Sequence, residues 1–294
     1  MRIGRRRRGL VAGSALIIGL VAAGCGSAAT RAGQAPHSNP TTTMVTTTTV
    51  PSTTTPSSTT TSTTVTSVQG TALPAGRPLA GKVVGVDPGH NGANYTDPSL
   101  IDSQIFNGTA EEDCDTTGTE TDDGYTEAQF NFNVAQFLTA DLEQEGAKVV
   151  LTRTSNTGIG PCVDRRAQIL NAADSNVAID IHADGGPADG RGFAILEPVA
   201  DGPNDGVISS SRAFGDVVQK QFLSVTGMPI STYDGTNGIA FRSDLAGLNL
   251  ATEPKVLIEC GNMRNATDAA LLVTTQFQQS AALALALAIT EYLG

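Results

Sequence analysis

The sequence predicts one α/β domain, in which a twisted, mostly parallel sheet of about five to six strands is flanked by helices. Two observations predict it. Short apolar runs of strand length recur through residues 79–294: VVGVD (83–87), KVVLTR (148–153), VAIDIH (177–182), GFAILEP (192–198) and PKVLIECG (254–261). Between them lie stretches whose apolar residues repeat at helical spacing. Strands that alternate with helices imply parallel pairing, with both sheet faces covered.

VVGVD is bounded by Gly and Pro and reads as a buried strand running into the tight turn DPGHNG. Thr126 can cap the next helix, where Phe130, Val134, Phe137, Leu138 and Leu142 form one stripe and Gly146 is the stop. KVVLTR is the second strand, and residues 163–173 form the next helix. VAIDIH and GFAILEP follow as strands, with a helix over about 207–225. PKVLIECG is the last strand. Asn265 with Asp268 resembles a helix cap before one long C-terminal helix over about 266–293.

The rest of the chain is organised differently. Residues 1–25 join a basic start, MRIGRRRRG, to an apolar run and a small-residue end, AAGC, the pattern of a signal peptide. Cys25 follows Gly24 as in a lipobox, with Ala22 where Leu is usual, so a lipid anchor at Cys25 is one expectation. Residues 26–78 are rich in Thr, Ser and Pro and cannot bury a core; they read as a disordered linker, and His37 within it as a solvated residue. The Ala-rich LALALAIT near the C-terminus is expected as a core helix rather than a membrane span. Removing residues 1–25 takes five arginines and no acidic residue, leaving 13 basic against 29 acidic groups, a formal balance of −16. That argues against nucleic acid, whose binding needs Lys and Arg to displace counterions. An exported chain can keep a disulfide. Cys114 and Cys162 both lie in polar, loop-like sequence and are expected to pair, whereas Cys260, in VLIECG, is expected as a buried thiol.

Three of the strands end in reactive residues: DPGHNG gives His90, IDIHAD gives His182 and VLIECGN gives Glu259. In an open parallel sheet ligands gather beyond the carboxyl ends of the strands, and Glu127, in the first turn of its helix, can face the same place. Each residue alone has a plainer role. A turn histidine can brace its turn, Glu127 can simply favour a helix N-terminus, and Asp87 and Asp184 read as turn-makers or supporting groups. Together, two histidines and a carboxylate with one position open suit a catalytic zinc ion. On that reading His90, Glu127 and His182 bind Zn2+, and Glu259 moves the proton.

At these residues the chain resembles the zinc-dependent N-acetylmuramoyl-L-alanine amidases of the amidase-3 type, in their actinobacterial branch. DPGHNG, the Glu of GYTEAQFNFNVA, IDIHAD and VLIECGNMRN match four ordered motifs, and FRSDLAGLNL resembles the segment before the last strand. The resemblance implies a peptidoglycan or muropeptide substrate. The bond cut would lie between N-acetylmuramic acid and L-alanine, in an exported protein of the cell envelope. A monomer is expected, since nothing in the sequence demands a dimer. The sequence departs from the pattern in Asp180, where Ser is common, and in a long acidic stretch between His90 and Glu127. That stretch is expected to form a flap or hairpin beside the site, tied by Cys114–Cys162. The connector DGGPADGR is too short for the plugging helix that some relatives carry, so an enzyme without need of an activator is expected. Two other readings remain open: a zinc peptidase cutting the stem peptide, and a non-catalytic wall-binding lipoprotein.

Overall fold

The computed structural model describes residues 72–294. The signal segment with Cys25, His37 and most of the linker lie outside the described residues. The chain runs β1 (Val83–Pro88), α1 (Pro98–Ile101), β2 (Gln104–Phe106), β3 (Glu111–Asp113), α2 (Glu127–Gln144), β4 (Lys148–Leu151), α3 (Val163–Ala172) and β5 (Val177–Asp184). It continues β6 (Ala194–Pro198), α4 (Ile208–Thr226), β7 (Ile239–Arg242), α5 (Ala246–Asn249), β8 (Lys255–Asn262), α6 (Ala266–Leu272) and α7 (Thr275–Leu293). Six strands form one sheet in the order β4-β1-β5-β8-β6-β7. Every neighbouring pair is parallel except β6 with β8.

Side chains alternate across a strand, so each strand here serves two layers. Val84, Val86, Ile179, Ile181, Val256, Ile258 and Cys260 point to one face, where they join Phe130 and Leu138 of α2, Phe214 and Phe222 of α4, and Leu285 of α7 in the main core. Asp87, Asp180, His182, Leu257 and Glu259 have the opposite parity and face the thinner layer that includes α5. Polar chemistry is thereby confined to one face of the sheet while apolar burial on the other holds the sheet together.

The local signals act as the sequence suggests at α2. Thr126 accepts a hydrogen bond from the Gln129 amide at 3.3 Å, and Gly146 takes a positive φ of 96° just past the helix end. The single C-terminal helix is corrected to two, α6 and α7, bent by 81°. Thr274 supplies a new cap, accepting from the Phe277 amide, which restarts the helix in another direction. No single described helix is long and apolar enough to cross a membrane, and Ala281, Ala284, Leu285 and Ala288 of the LALALAIT region are fully buried.

The acidic stretch forms an antiparallel hairpin, β2 paired with β3. Cys114 and Cys162 are joined, with their Cα atoms 4.4 Å apart, and Cys260 is a buried free thiol. The Val163 amide donates to the Cys114 carbonyl at 2.8 Å, so backbone and disulfide together fasten the end of the hairpin to the start of α3. The crosslinked cysteines are 48 residues apart in sequence. Closing a loop of that length stabilises by up to about 4 kcal/mol through the unfolded chain. Replacing both cysteines by Ser is expected to lower the urea unfolding free energy by about 2–4 kcal/mol. A wild-type midpoint in the double variant would refute this.

Candidate active site

The turn after β1 is built for close approach. A Cβ on Gly89 would stand 2.2 Å from the His182 ring, so only glycine lets the two segments meet. His90 follows with φ at +57°, an uncommon conformation for a side-chain-bearing residue. It is held by its surroundings. The Gly89 amide donates to the Ile181 carbonyl at 3.0 Å, and Arg166 donates to the His90 carbonyl at 2.9 Å. Arg153 adds bonds to the carbonyls of Pro88 and Gly89.

His90, Glu127 and His182 come together, each offering one ligand atom within 4.8 Å of the others. Glu127 sits between the histidines. Its Oε1 lies 2.8 Å from His182 Nδ1 and its Oε2 lies 3.3 Å from His90 Nε2. The other nitrogen of His90, Nδ1, lies 3.0 Å from Asp115 Oδ1, which fixes the ring and leaves Nε2 facing the cluster. Two imidazole nitrogens and a carboxylate oxygen are donors that suit a divalent transition metal, and a carboxylate behind a histidine ligand is its usual support. The group can therefore hold a metal ion. Burial opposes a charge on His90, but the Glu127 and Asp115 carboxylates outweigh it and raise its pKa to about 10. Burial also opposes the Glu127 charge, yet the two histidines hold that carboxyl well below the usual range.

Glu259 pairs in register with His182 across β5 and β8, so both project from the same face. Its Oε2 is buried without a hydrogen-bond partner. Burial, reinforced by the charges of Glu127 and Asp184, raises the Glu259 carboxyl well above its ordinary pKa. It lines a cavity of about 410 Å³ with all three residues of the cluster, and with Asp184 and Arg242. Cys260 points the other way into the core. The connector 185–193 carries no helix over this cavity; it is tied down by Asn262, which donates to the carbonyls of Pro187 and Gly190.

A family model described as N-acetylmuramoyl-L-alanine amidase (Amidase_3) matches residues 84–291. The chain belongs to this amidase family. It is 40% identical over 230 residues to an N-acetylmuramoyl-L-alanine amidase of Mycobacterium tuberculosis, covering 76% of this chain and 90% of that protein. Among solved structures it resembles the amidase Ami1 of Mycobacterium smegmatis, with 40% identity and a TM-score of 0.69 over 74% of this chain and 98% of that one. The catalytic domain of CwlV from Bacillus (Paenibacillus) polymyxa is more distant, with 27% identity and a TM-score of 0.54 over 72% of this chain and 98% of that one.

Within this amidase fold, three residues at the site went unread in the sequence. Asp115 orients His90. Arg166 donates to Asp115 Oδ2 at 3.1 Å and to Asp87 Oδ1 at 2.7 Å, and Arg153 braces the turn. A signal for Arg166 existed. With Ala167 and Leu170 it shares the inward stripe of α3, and a cation on such a stripe needs buried acceptors. Asp87 accepts hydrogen bonds from Thr152 and Arg166. Asp180 makes a buried pair with Lys255 at 2.9 Å, on the same sheet face.

Two outcomes follow from these contacts. Asp115→Asn is expected to keep the fold and weaken divalent-metal affinity about 10- to 100-fold, measured by competition with a chelator. Burial disfavours the Asp87 charge, but Arg166, Lys255 and Thr152 overcome this and hold its pKa at about 2. Because the folded value lies below the unfolded one, Asp87 contributes its stability above about pH 4 and loses it as pH falls through about 2; the gain is on the order of 2 kcal/mol. The stability gap between wild type and Asp87→Asn in urea titrations is expected to narrow over that window. A constant gap would refute the assignment.

Proposed function

We propose that this protein hydrolyses the amide between the lactyl group of N-acetylmuramic acid and the L-alanine that begins the stem peptide of peptidoglycan. The observation that carries the reading is the His90–Glu127–His182 cluster sharing one cavity with Glu259, whose Oε2 is buried without a partner. Family membership supplies the substrate class. His90 Nε2, Glu127 and His182 Nδ1 are the residues that would hold Zn2+. Zinc supplies a Lewis acid that polarises the amide carbonyl and brings the pKa of water down to about 7.

The chain's own groups do the rest. Glu259, beside the cluster and poorly solvated, takes the proton from the attacking water and delivers it to the leaving nitrogen. The carbonyl carbon gains oxygen and leaves as the lactyl carboxylate, and L-alanine leaves as a free amine. Asp115 keeps His90 in the orientation that presents Nε2. The connector 185–193, pinned by Asn262, leaves the cavity open without a partner protein.

The domain reading belongs to the same proposal. Residues 1–25 direct export, residues 26–78 act as a spacer, and residues 79–294 are the catalytic domain. Cys25 offers a lipid attachment that would tether the domain in the cell envelope. The enzyme acts as a monomer.

The deciding experiment is mass spectrometry of defined muropeptides incubated with the purified protein alone, with and without a zinc chelator. Chelator-sensitive release of intact sugar and an intact peptide beginning with L-alanine is expected. Glu259→Gln is expected to lower kcat about 100- to 10,000-fold while zinc content stays at the wild-type level. Cleavage inside the peptide would replace the amidase with a peptidase. No cleavage by the zinc-loaded protein would defeat both.

A further inference from the structure

A second cleft lies beside the catalytic cavity. It measures about 550 Å³ and is lined by Asn91, Tyr95, Thr117, Thr119, Glu120 and Thr126, with Gly92, Gly118 and Ala128 between them. Gly118 and Thr119 also line the catalytic cavity, so the two spaces share a wall. At that wall the chain lies against the cluster. A Cβ on Gly118 would stand 2.7 Å from the His90 ring and 2.8 Å from Glu127 Oε2, and the Thr119 amide donates to Glu127 Oε2 at 3.0 Å. A ligand lying across Gly118 would therefore pass from one space to the other within reach of the reacting atoms.

The chemistry of the lining selects among the parts of the substrate. It contains hydroxyls and one carboxylate but no Lys or Arg, and its one side-chain amide, that of Asn91, is buried and bonded to Gly160 and Gly92. That is a poor match for an anionic peptide and a good one for a neutral, hydroxyl-rich ligand, which needs both donors and acceptors. Tyr95 is 71% exposed at the mouth of this cleft. Aromatic residues make up 4% of the chain, and Tyr125 and Tyr292 pack against the core. An exposed ring has an apolar face, and a pyranose presents a face of C–H groups to match it while its hydroxyls turn outward to polar partners. Exposure of one aromatic residue carries no meaning alone. Its position on a neutral polar cleft that opens onto the cluster gives it one.

We propose that this cleft is the glycan subsite, where Tyr95 stacks on a sugar of the peptidoglycan strand and the Thr side chains bind its hydroxyl and acetamido groups. The substrate class rests on the amidase reading; the subsite is an addition to it. The stem peptide then lies in the catalytic cavity itself, whose lining includes Arg242.

The test uses the peptide-free disaccharide of N-acetylglucosamine and N-acetylmuramic acid, which has no amide for the enzyme to cut. Titrated into the wild-type protein, it is expected to shift the backbone NMR signals of Gly92, Tyr95 and residues 117–120. Tyr95→Ala is expected to weaken that binding about tenfold and to raise KM for disaccharide muropeptides by a similar factor, with the loss in KM rather than kcat. Tyr95→Phe, which keeps the ring, is expected to bind as the wild type does. Unshifted signals, equal binding by Tyr95→Ala, or shifts at the same residues caused by free stem peptide would each overturn the subsite. Muropeptide cleavage with unshifted signals would remove the subsite and leave the amidase standing. Shifts without cleavage would do the reverse.

Discussion

The Arg166 guanidinium lies buried, and a buried cation is tolerated only when acceptors surround it. Here there are five: the Asp87 and Asp115 carboxylates and the carbonyls of Pro88, His90 and Pro161. Satisfying them fixes three pieces of chain. They are the end of β1 with the turn that carries His90, the segment that leaves the hairpin at Asp115, and Pro161 just ahead of α3. Leaving one carboxylate of such a group unpaired costs several kcal/mol, so the arrangement has little freedom to relax. His90 keeps its left-handed backbone because Arg166 and the Ile181 carbonyl hold its turn, and it keeps its ring orientation because Asp115 is itself held. The position of one candidate ligand thus depends on an ion pair that grips His90 twice, Asp115 at the ring and Arg166 at the backbone carbonyl.

The two glutamates at the cavity show how one environment sets opposite properties. Glu127 is buried and Glu259 half-buried, and desolvation alone raises each. Glu127 lies between two histidines and is driven to its charged form. Glu259 faces negative neighbours and is driven toward its neutral form. A carboxylate kept charged is suited to hold a cation, and one kept near the protonated state is suited to give and take protons. The difference comes from position on the sheet. Glu259 sits on β8 beside His182 but beyond the hydrogen-bonding reach that Glu127 has from the first turn of α2.

The fold was legible wherever burial wrote a pattern. Apolar runs marked β1, β4, β5, β6 and β8, and Thr126 and Gly146 bracketed α2. β7 escaped because it is a four-residue edge strand whose Phe241 is 58% exposed, so it carries no continuous apolar run. The break between α6 and α7 escaped because Thr274 looks like an ordinary helical residue until its hydroxyl is seen to cap. His90, Glu127, His182 and Glu259 were legible because strand ends and a helix start converge on one edge. Asp115 was not, since one Asp among many in an acidic loop has no local mark. Its role exists only through the disulfide and Arg166, which are contacts across 48 and 51 residues.

Those long-range contacts also explain why the acidic stretch is more than an insertion. Its end is fastened three times in quick succession. Cys114 is bonded to Cys162, Asp115 is bonded to His90 and Arg166, and the Thr119 amide reaches Glu127. Between the last two anchors the chain has only Thr116, Thr117 and Gly118 with which to cross the cluster. It clears the His90 ring and Glu127 because Gly118 lacks a side chain and takes a positive φ of 70°. A segment held this close on one side is exposed on the other, and that outer surface is the floor of the second cleft. The constraints that position the candidate metal ligands therefore also build the surface beside them, and a substrate lying on it meets the cluster at a fixed distance.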